Sequence, residues 1–105
     1  MLNIKSMYMN VLIKNASGTY EHEPPHPYNT WIEYWEVNAN FKLNPNQPYK
    51  CPACGKSFYR SDFDGCHVQK VGDPIGKMYI IPLCSGCNHR NDFFLVDENL
   101  LVPAP

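Results

Sequence analysis

Two Cys-x-x-Cys pairs, Cys51-Pro52-Ala53-Cys54 and Cys84-Ser85-Gly86-Cys87, restrict what this chain can fold into more than any other feature. Such a pair curls its own backbone so that both sulfurs face one point, and two pairs supply the four soft donors of a closed tetrahedral site. Cys51, Cys54, Cys84 and Cys87 are therefore the expected ligands of a structural zinc ion. The fifth cysteine, Cys66, stands between the pairs in Asp64-Gly65-Cys66-His67-Val68, where a histidine adjoins a cysteine. An odd number of cysteines in paired spacing, with neither a basic apolar leader nor a membrane-length apolar run, predicts reduced thiols, a cytoplasmic location and no membrane anchor. At 105 residues the chain fits one domain with a modest core, which gains from a metal staple.

The remaining pattern predicts an α+β arrangement. Ile4, Met7, Met9, Val11 and Ile13 alternate loosely and predict a strand, ended by a turn over 15–19. The prolines of His22-Glu23-Pro24-Pro25-His26-Pro27 predict an extended loop. Trp31, Trp35 and Asn38 would share a helical face and Trp31, Glu33, Trp35 and Val37 a strand face; with Asn29 or Thr30 as cap and Glu33 three residues after Thr30, the capping-box spacing favours a short helix with an aromatic anchor. That anchor is expected to pack on the metal module, with stacking on nucleic-acid bases as the alternative. Asn44-Pro45-Asn46-Gln47-Pro48 marks a boundary between an N-terminal extension, 1–48, and a metal module, 49–105. Within the module, Cys66–Val71 and Met78–Leu83 read as a hairpin around Gly72-Asp73-Pro74-Ile75-Gly76, Asn88–Phe94 as a short helix and Leu100–Val102 as a last strand. The Asp64-Gly65 dipeptide reads as a turn.

Taken in order, Cys51-x-x-Cys54-Gly55-Lys56, Gly65-Cys66-His67-Val68 and Ile80-Ile81-Pro82-Leu83-Cys84-Ser85-Gly86-Cys87-Asn88 resemble the HNH nuclease family with its zinc-stapled ββα-metal, treble-clef core. The resemblance spans roughly 50–92. It implies that His67, on the first strand of the hairpin, is the general base toward water, and that a second divalent ion is held by Cys66 with Asn88 or His89. It also exposes departures. Cys66 stands where the family has Asp or His, Tyr79 where it has its central asparagine, and Asn88 where a ligand histidine often follows the second knuckle. The first knuckle, with Gly55, also resembles that of rubredoxin, which implies a redox iron instead of zinc and an electron-transfer role.

Charge narrows the partners without choosing one. The formal net charge is −1, but residues 42–91 carry seven Lys and Arg against three Asp, a local +4, which a tetrathiolate zinc site reduces to roughly +2. A nucleic-acid binder usually has a stronger basic footprint. The expected function is a zinc-binding HNH-like module, catalytically degenerate, that binds DNA or RNA through 42–91 or binds a protein partner. An active metal-dependent endonuclease using His67 is the alternative.

Overall fold

The computed structural model describes residues 9–16 and 23–105. The positions Ile4 and Met7, the turn residues 17–19 and His22 lie outside them. β1 (Asn10–Asn15) follows the expected alternation: Ile13 is fully buried while Leu12 and Lys14 face solvent. A loop with a cis His26–Pro27 bond leads into α1 (Trp31–Ala39). Of the two candidate caps, Asn29 and Thr30, it is Thr30 that caps the helix, its hydroxyl accepting from the Glu33 N–H at 3.1 Å. The Glu33 carboxylate reaches back one residue further than a capping box requires, accepting from the Asn29 N–H at 2.7 Å. Asn40, in the left-handed region at φ 55°, closes the other end.

β2 (Tyr49–Lys50) and β3 (Ser57–Phe58) form a small hairpin, and β4 (Phe63–Lys70) pairs with β5 (Tyr79–Cys84) along six residues. α2 (Ser85–Asn88) is a single turn, β6 (Phe94–Asp97) follows, and a 3₁₀ turn over Glu98–Leu100 leads to β7 (Val102–Pro103). The main sheet is antiparallel in the order β6-β1-β4-β5-β7, so β1 lies inside it, hydrogen-bonded to β4 on one side and β6 on the other. The protein is thus a small mixed α and β fold. No helix among the described residues is long and apolar enough to cross a membrane.

Three local expectations change. The Asp64-Gly65 dipeptide is no turn; it continues β4, which begins at Phe63. The helix expected over Asn88–Phe94 is instead the turn Ser85–Asn88, because Phe93-Phe94-Leu95-Val96 alternates as a strand and Arg90 is tied to Asp92 between them. The last strand is Val102–Pro103, and Leu100 belongs to the preceding 3₁₀ turn.

The core joins both halves of the chain, with Ile13, Val68, Ile80, Ile81, Leu83 and Val96 all fully or almost fully buried. β5 is buried along its whole length and reads, correctly, as one continuous apolar run. Its Pro82 is tolerated because β7 runs beside β5 only at Tyr79 and Ile80, leaving the strand an edge beyond them. α1 packs across β4 and β5. The Trp35 indole N–H donates to the Leu100 carbonyl at 2.7 Å and the Tyr34 hydroxyl to the Pro103 carbonyl at 3.0 Å, tying the helix to the end of the chain.

Candidate metal centre

The four cysteines of the paired motifs arrive from two places in the fold. Cys51 and Cys54 sit on the tip of the β2–β3 hairpin. The Cys51 N–H donates to the Lys56 carbonyl at 2.8 Å and the Gly55 N–H to the Cys51 carbonyl at 2.9 Å, so the loop closes on itself. That closure needs φ +76° at residue 55, which glycine adopts without a Cβ penalty. Cys84 ends β5 and opens α2, and Cys87 lies in its single turn. Asn15 holds this second knuckle against the sheet: its side-chain amide donates to the carbonyls of Cys87 and Arg90, both at 2.9 Å.

All four sulfurs lie within 4.8 Å of one another, and those of Cys54 and Cys84 are 4.0 Å apart. A tetrathiolate site with bonds of about 2.3 Å has sulfurs about 3.8 Å apart, so the four cysteines are close enough to hold one metal ion. Cys51, Cys84 and Cys87 are buried and Cys54 is exposed. Burial pushes the Cys51 thiol up, but N–H groups of Cys84, Cys54 and Ala53 outweigh it and the net shift is downward. Cys87 is pushed up to about 12, first by burial and then by its sulfur neighbours. Thiols crowded in this way resist ionising together, and a divalent cation between them removes the conflict. The Arg90 guanidinium, paired with Asp92 at 2.6 Å, adds a positive charge beside Cys87. A cleft of about 670 Å³ opens on the centre, lined by Cys54, Lys56, Ser61, Asp62, Asp64 and Ser85 among others.

Of the residues singled out for hydrolysis, Cys66 and Asn88 both reach Asp64, while His67 lies apart from them against α1. His67 and Cys66 are consecutive on β4 and so point to opposite faces of the sheet. The His67 ring lies edge-on to Trp31 of α1, with centroids 4.4 Å apart. Cys66 is buried, donates to the Asp64 carbonyl at 3.3 Å, and is held strongly toward the thiol form, chiefly by burial and then by Asp64. Asn88 donates its side-chain amide to the Asp64 carboxylate at 3.4 Å, and His89 is exposed at the end of α2. Tyr79 is buried and donates its hydroxyl to Asp73 at 2.7 Å. Among the described residues, the four paired cysteines are the only group of three or more His, Cys, Asp or Glu placed to hold an ion.

Two contributors had no sequence signal strong enough to single them out. Asn15 anchors the second knuckle across seventy-odd positions of chain. Glu36 is buried and accepts from Arg60 at 2.8 and 3.0 Å and from the Leu43 N–H at 2.8 Å, which fixes the approach of the chain to the metal hairpin. Both depend on partners distant in sequence. Comparison of the chain with protein-family models, curated proteins and solved structures finds no match in any of the three.

Proposed function

We propose that this chain is a zinc-stapled, HNH-like treble-clef module that acts by binding a macromolecular partner and does not hydrolyse phosphodiesters. The observation that carries the reading is the separation of His67 from Cys66. The imidazole is packed edge-on against Trp31 under α1 while the thiol lies buried on the other face of β4. Hydrolysis needs a base and a Lewis-acidic ion around one water. A buried thiol held in its protonated form is a poor ligand for either magnesium or zinc.

The treble-clef reading rests on the order of parts: a knuckle on a short hairpin, a longer hairpin, then a second knuckle that opens a helical turn. Zinc is preferred because four thiolates in a closed set suit a structural tetrahedral ion. Rubredoxin-type iron would show as visible thiolate-to-iron absorption in the purified protein.

Between partner classes, the charge arrangement favours protein over nucleic acid. Of the eight Lys and Arg among the described residues, Arg60, Lys70 and Arg90 are already engaged with carboxylates. That leaves five lysines and no arginine for phosphate contacts, and arginine is the bidentate phosphate binder. The deciding experiment incubates the metal-loaded protein with plasmid and single-stranded DNA in added magnesium, manganese, nickel or zinc, beside His67→Ala. No cleavage is expected from either; cleavage by the wild type that is lost in the variant overturns the reading. A gel-shift series in rising salt then tests the partner class, and a steeply salt-dependent shift counts for nucleic acid.

A further inference from the structure

The far edge of the sheet, away from the metal centre, carries a second signal. β6 pairs with β1 on one side and, among the described residues, with no strand on the other. The Glu98 N–H donates to the Met9 carbonyl at 2.8 Å and the Val71 N–H to the Leu12 carbonyl at 3.0 Å. Bonded and non-bonded pairs alternate along an antiparallel ladder. Val11 with Val96 and Ile13 with Phe94 are therefore the bonded pairs, and Leu12 turns its polar groups toward β4. Leu95 and Asp97 then turn their backbone N–H and C=O groups outward, to the open edge.

The side chains agree with that backbone. Leu95 is 55% exposed, directly across from Leu12, and Phe93 and Val71 beside them are also more than half exposed. Natural edges are usually blunted by shortness, charge, proline or a bulge; the four-residue run Phe94–Asp97 is short and ends on a carboxylate, but it carries no lysine or proline. On the same face, the Lys14 ammonium lies 5.5 Å from the Phe93 ring and has no carboxylate partner among the described residues.

We infer that β6 is a homodimer interface: it pairs antiparallel with β6 of a second copy of this chain about a two-fold axis at Leu95, joining two five-stranded sheets into one. In this register Leu95 exchanges both backbone bonds with the partner's Leu95, and Asp97 does so with the partner's Phe93. Lys14, beside Phe93, comes alongside the partner's Asp97 on the same face, and symmetry repeats the pair. The charges select this register. An axis at Asp97 sets carboxylate against carboxylate, and an axis at Phe93 carries Asp97 past the end of the strand. The exposed strip of Leu12, Val71, Phe93 and Leu95 continues across the axis, where Leu95 lies beside its symmetry mate. The paired stretch is short, so the dissociation constant belongs in the micromolar range and not the nanomolar. The inference is independent of the metal centre and of what the module binds.

The test is sedimentation equilibrium of the full metal-loaded chain over a concentration series, with circular dichroism of each variant. The wild type is expected to dimerise reversibly. Leu95→Pro removes an outward N–H and leaves the β1 ladder intact, so it should be folded and monomeric. Leu95→Lys, which keeps the backbone donor, should be monomeric through like-charge contact at the axis. Lys14→Asp should weaken association about tenfold, and adding Asp97→Lys should recover most of the loss. A wild type that stays monomeric at its solubility limit, a folded Leu95→Pro that still dimerises, or a charge swap that restores nothing overturns the inference.

Discussion

Gly65 is the residue through which helix and sheet meet. A Cβ built on it would overlap the backbone of Trp31 and Ile32, atoms that cannot swing away as a side chain does. Gly65→Ala should therefore force α1 off β4 and cost about 3 kcal/mol in denaturant unfolding; an unchanged midpoint would show that the helix yields freely. Glu36 makes a different kind of prediction. Burial raises its pKa, but the Arg60 guanidinium and the Leu43 N–H outweigh that, and the carboxyl is held below its ordinary 4.5. A depressed folded-state pKa gives stability that is present above the unfolded value and is lost as pH falls through the folded one. Thermal stability should thus begin to fall below about pH 4.5, and Glu36→Gln should flatten that limb while costing about 2 kcal/mol at neutral pH through its weakened bonds to Arg60. An acid limb of the same slope in the variant would assign the effect to other carboxylates. His67 lies on β4 with its ring edge-on to Trp31, so it packs against the first turn of α1.

Among elements, α1 owes its start to Thr30 and its hold on the domain to its aromatic side. Thr30→Ala removes the acceptor for the Glu33 N–H and should cost about 1 kcal/mol, measurable as a lower urea midpoint with unchanged slope. The capping pattern and the Trp31/Trp35 spacing were readable from the chain because the interactions behind them span three or four residues. The β4–β5 hairpin was readable for a similar reason, as two apolar runs joined by a loop rich in glycine and proline. α2 was not. The sequence beyond Cys87 has helix-compatible residues, yet the strand pattern of Phe93–Val96 finds β1 as its partner and the helix stops after one turn.

For the whole molecule, the four-cysteine site ties the short β2–β3 hairpin to the end of β5. β2 and β3 pair over two residues each, and so short a hairpin is marginal in water on its own. A strong chelator should therefore erase the dispersed amide signals of 49–58 and 84–90 and lower the melting temperature of the domain, with a thiophilic divalent ion restoring both. Metal-free protein that keeps those signals would remove the staple from the account. The main sheet has its own core in Ile13, Val68, Ile80, Ile81, Leu83 and Val96. Its cooperative unfolding should persist at lower temperature after the hairpin is released.

What the sequence determined by itself was local or stoichiometric. Cys-x-x-Cys spacing brings two sulfurs together by backbone curvature within four residues, and two such pairs imply one four-sulfur site wherever the rest of the chain goes. The capped helix and the alternating strand likewise depend on neighbours a few positions away. Tertiary structure decided which elements face each other. Consecutive residues on a strand point to opposite faces, so the helix that lands on Gly65 receives His67, and Cys66 goes to the other side. Where α1 would land depended on backbone carbonyls as distant as those of Leu100 and Pro103, and no local pattern carries that information.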